Sequence, residues 1–317
     1  MFQVASRPVP ELSLPMSHSY AHPNVPQNLQ IPRTLSRPAF TEVSRSAIAA
    51  LEPDLANVPI EFVRKHLAGQ ANEMLSALSL ITYPTSLPKA RLPPTIDVPV
   101  RPTASSPPRA FPTHMLAVSS SRGSPSQPNT PTAASFLASN SPTTTVPLFP
   151  AHALVLAAYC TLLPQLPRCA GQRGSAALSL PLVPLAVPSA ETFHLLHAYL
   201  HTRRADTLLA ALLPSLASSL PPAHAASSSS AHQRSYVSNF SNDSLLRLAH
   251  ALAHSAAVHG SPQGALGGLM AHVKVINGLW RNVCALGVND AELWGVMDVA
   301  WEIVLAALTR VAERERA

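Results

Sequence analysis

Twenty-four of the 33 prolines in this chain of 317 residues fall within its first 150 positions. Each proline fixes φ and removes a backbone N–H, so a proline inside a helix or sheet ladder forfeits a hydrogen bond. The first half is therefore expected not to form a continuous core. Roughly the last 170 residues are expected to carry one, a length sufficient for a full domain. Hydrophobic residues make up 47% of the chain, but much of that is alanine, and aromatics reach only 5%. Charged residues are 12%, about half of the ~25% usual in soluble domains.

The firmest signal within that second half is the stretch from Ile276 to Leu308, which holds all three tryptophans, Trp280, Trp294 and Trp301. Leu269, Val273, Ile276, Trp280 and Val283 recur at spacings of four and three, the period of a helical packing seam. Leu293, Met297, Trp301, Val304, Leu308 and Val311 do the same on a second helix. Gly287 fits a left-handed cap on the first. Asn289 with Glu292 resembles a capping box opening the second. So short a link makes the two helices neighbours in space. Truncating Trp280 or Trp301 to alanine is expected to cost about 3–5 kcal/mol.

Elsewhere the pattern divides the chain into four parts. Residues 1–40 are rich in proline, serine and asparagine and are expected to be disordered. Residues 41–82 read as a short helical segment, with Pro59 near a helix start and Gly69 weakening the middle. Residues 83–145 read as a Pro/Ser-rich disordered linker, in part of polyproline type. Ser106, Ser124, Thr130 and Ser141 each precede proline there and are candidate phosphorylation sites, where a phosphate would add close to two negative charges. Residues 146–317 read as a mainly helical domain with a flexible insert at 215–236. Within it, Ala176 to Val187 could supply one or two short edge strands. Ser189 could cap a helix carrying Phe193, Leu196 and Tyr199 on its apolar face.

Chemistry is sparsely signalled. The net charge of +6 and pI near 9.6 come from scattered arginines and three lysines, Lys65, Lys89 and Lys274. A dense basic patch is lacking, so direct nucleic-acid binding is disfavoured. Three cysteines without a CxxC pair favour a reduced, intracellular setting. The N-terminus lacks the apolar core of a signal peptide, and no run of about 18 apolar residues predicts a membrane span. His194, His197 and His201 share one helix face, and His250 and His254 lie one turn apart. Imidazoles so spaced can bind zinc, which leaves a metal-dependent enzyme or zinc-binding protein as the alternative reading. However, HExxH, GxSxG and phosphate-cradling glycine motifs are all missing. No catalytic residue and no cofactor is expected.

Two resemblances extend the reading. Phe193, Leu196, Tyr199, Leu200 and Thr202 match the helix pair of a BTB/POZ-type fold, with His201 where tyrosine is usual; a plain helical domain accounts for the same residues. Three blocks, Val58 to Pro88, Phe193 to Pro214 and Gly278 to Leu308, resemble the clampless family of basidiomycete developmental regulators. That resemblance implies a non-enzymatic protein of the mating-type programme, needed for clamp-cell formation and dikaryon maintenance. It implies contacts with transcription regulators in the nucleus and supplies no catalytic residues. Phe193, Leu196, Tyr199, Trp280, Trp294 and Trp301 are the structural or interaction candidates. The fold expected is mainly α, with a helical C-terminal domain, minor short strands of a degenerate BTB/POZ-like kind, and an N-terminal half largely disordered.

Overall fold

The computed structural model describes residues 31–102, 110–121, 145–169, 177–222, 235–258 and 262–316. Three helices come first: α1 (Arg45–Leu51), α2 (Ile60–Gly69) and α3 (Ala71–Leu80). Helices α2 and α3 are separated at Gln70, directly after the helix-weakening Gly69. Four strands and a short helix follow: β1 (Ser86–Pro88), β2 (Thr95–Pro99), β3 (His114–Ser120), β4 (Thr145–Ala151) and α4 (Ala153–Tyr159). Then come β5 (Ala177–Val187), α5 (Ala190–Thr202) and α6 (Ala205–Leu212). The chain closes with α7 (Asn242–Val258), α8 (Pro262–Leu286) and α9 (Ala291–Arg316).

The five strands form one mixed sheet in the order β1-β4-β3-β5-β2. Only β3 and β5 run parallel; the other neighbours are antiparallel. This corrects the expected fold class. The protein is not a helical domain with minor strands, a degenerate BTB/POZ-like half and a largely disordered N-terminal half. Its curled sheet draws β1, β2 and β3 from the stretch whose proline content suggested disorder. The first 30 residues, and the low-complexity stretches 103–109 and 122–144, lie outside the described residues.

The physical reason is that proline density says nothing about which flank of a strand is paired. Leu148 donates its N–H to the Thr85 carbonyl on the β1 side. Alternation then turns the Pro150 nitrogen toward β1 and the Pro147 nitrogen toward β3. β1 pairs only with residues 145–147, and β3 only with residues 148–151. Each proline therefore faces a flank that its neighbour does not reach. β5 repeats the device: Leu182 donates to Pro94 on the β2 side, so Pro184 faces β2 and Pro181 faces β3. β2 pairs with residues 177–181 and β3 with residues 182–187. Both strands change partners midway and place proline where a ladder is open, which is where a strand tolerates it.

β3 is the spine of this sheet. Met115, Leu116, Ala117 and Val118 are all buried, so both faces are covered. Met115 and Ala117 join Ile81, Val98, Val146, Leu148, Leu178, Leu180 and Leu182 in one cluster, with Leu78 and Tyr83 packed on it. The opposite face carries Phe149, whose ring meets Phe193 of α5 edge-on at 5.2 Å. Helix α5 in turn packs on α8, which packs on α7 and α9. At that crossing a Cβ on Gly278 would lie 2.9 Å from the Thr192 methyl. Beside it the fully buried Asn282 accepts from the Ser189 N–H at 2.9 Å and donates to its carbonyl at 2.7 Å. Ser189 does precede α5, but its side chain makes no cap bond; Asn282 satisfies its backbone instead.

The α8–α9 link is fixed from outside. Gly287 has φ +64°, as the sequence predicts for a left-handed cap. Its carbonyl accepts from the Thr161 hydroxyl at 2.9 Å, and Leu162 donates to Leu286. A Cβ on Gly287 would meet the Thr161 oxygen at 2.1 Å. The expected Asn289 capping box is replaced. Asp290 caps α9 by accepting from Leu293 N–H at 2.8 Å, and Glu292 instead accepts from the Tyr236 N–H at 2.7 Å. Gly287→Ala is expected to destabilise by more than about 2 kcal/mol, since αL strain and overpacking add. Equilibrium urea unfolding reads it directly, and an unchanged midpoint would mean the link is not held by Thr161.

Candidate interaction site

Trp294, Asp298 and Trp301 recur at spacings of four and three on α9, so they share one face. With Trp280 of α8 they hold a strap, residues 32–38, that bends at Arg33 and Thr34. The Trp301 indole donates to the Pro32 carbonyl at 3.1 Å, and the Trp280 indole donates to the Ser36 carbonyl at 2.8 Å. Arg37 pairs with Asp298, and its guanidinium lies 5.5 Å from the Trp294 ring centre. Leu35 is the one fully buried side chain of the strap, at 6% exposure. Trp294 and Trp301 are buried and Trp280 half-buried. Trp294 spends its own N–H on Val288 within the α8–α9 link, so its ring and not its donor faces the strap. A buried indole N–H needs an acceptor, and the strap's main chain supplies two of them.

A second cluster positions this face. Arg203 ends α5 in a left-handed conformation, φ 56°. Its guanidinium lies 4.6 Å from the Tyr159 ring centre and 4.9 Å from that of Tyr199, and it pairs with Asp290. The Tyr199 hydroxyl donates to Asp290 at 2.6 Å. Burial opposes ionisation of Asp290, but the Arg203 charge, the Tyr199 hydroxyl and the Leu293 amide outweigh it and hold the carboxyl below its usual range. Burial, together with the Asp290 charge, raises the Tyr199 phenol well above its ordinary value. Tyr199 therefore stays a neutral donor. The cap of α9 is thus locked to α4 and α5, one turn before Trp294.

Phe193 is buried against Phe149 of β4, Leu196 is fully buried, and Tyr199 is buried in the ion-pair cluster. The candidate phosphorylation sites Ser106, Ser124, Thr130 and Ser141 lie outside the described residues. The histidine face is divided. His194 is exposed and bonds the Glu191 carbonyl, whereas His197 and His201 are buried. The His197 ring donates to Pro150 O at 3.0 Å and the His201 ring to His197 O at 2.8 Å. His152, which sequence spacing could not link to them, donates to Ala110 O and packs 5.2 Å from the His201 ring. His250 accepts from Arg310 at 3.2 Å, and His254 is exposed. Among the described residues, no group of three or more His, Cys, Asp or Glu is placed to hold a metal ion. Cys160 is buried, its thiol pushed up to about 12 by that burial.

The strap and the Arg203 cluster are what sequence reasoning missed. An irregular segment with a single apolar anchor has no periodicity to detect, and Arg203 and Asp290 are 87 residues apart. The arrangement assembles no nucleophile–base pair. What it does is hold the strap by two of its carbonyls, one apolar side chain and one cation.

Two family models match: the clampless protein 1 N-terminal domain over residues 38–188, and the clampless protein 1 C-terminal domain over residues 206–317. The chain belongs to the clampless family. Neither model describes an enzyme family, and the family's name points to fungal clamp formation and development. No curated protein and no solved structure matches the chain. No described helix is long and apolar enough to cross a membrane.

Two predictions follow from this geometry. Trp301→Ala is expected to cost about 3–5 kcal/mol, and Trp280→Ala less, because only Trp301 is fully buried; denaturant unfolding of both variants checks the order. Burial pushes the His152 imidazole down to about 4, helped by the nearby His201 charge. Burial lowers His197 and His201 too. The unfolded chain binds these protons first, so stability is greatest above pH of about 6.5 and falls as the pH drops toward 4. His152 alone contributes about 3 kcal/mol to that loss. Unfolding free energies at pH 7 and pH 5 should differ by several kcal/mol, and a flat profile would contradict the neutral assignment.

Proposed function

We propose that this protein is a non-enzymatic regulator of fungal sexual development, required for clamp-cell formation and for keeping two nuclei per cell. The observation that carries the reading is membership of the clampless family across both halves of the chain. The site chemistry supports it. Arg203, Tyr199 and Asp290 are engaged in holding α5 and α9 together. The tryptophan-lined face of α8 and α9 binds the strap's backbone and one cation. Its partners, on this reading, are transcription regulators of the mating programme, met in the nucleus. The Ser-Pro and Thr-Pro steps at Ser106, Ser124, Thr130 and Ser141 would let proline-directed kinases tune those contacts through added charge.

Deleting the gene in both parents of a compatible mating tests the role. The expected outcome is a dikaryon that fails to form clamp cells and loses paired nuclei, with both restored by reintroducing the full chain. Proximity labelling in those mating cells should enrich transcription regulators. Normal clamps in the deletion strain would overturn the developmental role.

A further inference from the structure

We infer that the α8–α9 tryptophan groove is a binding site for a segment of a partner protein that lacks helix or strand structure and carries leucine and, two positions on, arginine, and that the strap 32–38 occupies this site in cis. The inference rests on the protein-binding reading above and names the partner's chemistry.

The strap is held as a ligand is held. Trp280 and Trp301 donate to carbonyls of Ser36 and Pro32, four residues apart across a bend at Arg33 and Thr34, so they bind the main chain and not its side chains. Selectivity comes from two positions. Leu35 alone is buried, while Arg33, Thr34 and Ser36 are exposed and make no demand on sequence. Arg37 meets a carboxylate, Asp298, and the face of an indole, Trp294, which together suit a guanidinium.

The strap is also weakly tethered. It belongs to no helix or strand, and among the described residues no backbone–backbone hydrogen bond holds residues 32–43 ahead of the α1 cap. The groove residues lie inside the C-terminal family match, residues 206–317, whereas strap residues 32–37 precede the N-terminal match, which begins at 38. A tethered occupant competes through high effective concentration. It makes the groove available only to partner segments that match it at both the leucine and the arginine.

The test uses the full chain and a fluorescein-labelled peptide with the sequence of residues 32–40, read by anisotropy. Arg37→Glu in the strap should free the groove and tighten peptide binding at least ten-fold over wild type. Asp298→Arg should abolish binding of that peptide and accept one carrying glutamate at its arginine position. A peptide with aspartate for leucine should bind neither. An Arg37→Glu gain below two-fold, or indifference to the leucine, would overturn the inference. So would a wild-type dimer that dissociates on Arg37→Glu, which would assign the groove to a second copy's strap. Should Arg37→Glu fail to fold, trypsin cleavage after Arg33 in wild type is the second readout. Excess peptide with glutamine at its Arg33 position should accelerate it, and an unchanged rate would overturn the proposal. Lost clamps on deletion with no peptide binding would sink this inference alone. Peptide binding with normal clamps would sink the developmental reading alone.

Discussion

A half-buried guanidinium organises the helical side of this protein. Arg203 is stacked between Tyr159 and Tyr199 and paired with Asp290, so one charge joins the ends of α4, α5 and α9. Its backbone is left-handed, a conformation that glycine would adopt without cost and that arginine holds at about 1–3 kcal/mol of strain. Tolerating that strain makes sense only if the side chain is needed there. Asp290 returns the favour twice, as counter-ion and as cap of α9. Removing either partner would leave the other charge unpaired and largely out of water, a costly situation for an ion pair.

From that anchor the candidate site follows by helix geometry. Fixing the first turn of α9 fixes where Trp294, Asp298 and Trp301 project. Fixing the α8–α9 link through Gly287 and Thr161 sets how Trp280 stands beside them. The buried Asn282 and the close approach at Gly278 then press α8 onto α5, and α5 onto the sheet. A strap of one anchored leucine and one arginine can lie on so prepared a surface without secondary structure of its own.

The helices were legible because their signals are local. Helical periodicity placed α2, α3, α5 and α7 to α9, and Gly287 announced the turn. The sheet was not legible, for a reason residing in particular prolines. Pro147, Pro150, Pro181 and Pro184 look like strand breakers one at a time. They become harmless only when β4 and β5 change partners midway, and that pairing is a long-range fact. The candidate site was half visible. The three tryptophans stand out in an aromatic-poor sequence, but nothing near residue 35 says that a proline-flanked leucine will be their partner. The Asn289 capping box failed because Asp290, one position later, had a stronger claim through Arg203.

The most direct test of this account is a double-mutant cycle on Arg203→Met and Asp290→Asn, measured by equilibrium unfolding of the full chain. The account predicts single losses of about 3–5 kcal/mol and strongly non-additive behaviour, with a coupling above about 2 kcal/mol. Additive losses near zero would contradict it, because α9 and its tryptophan face would then be held in place by something else.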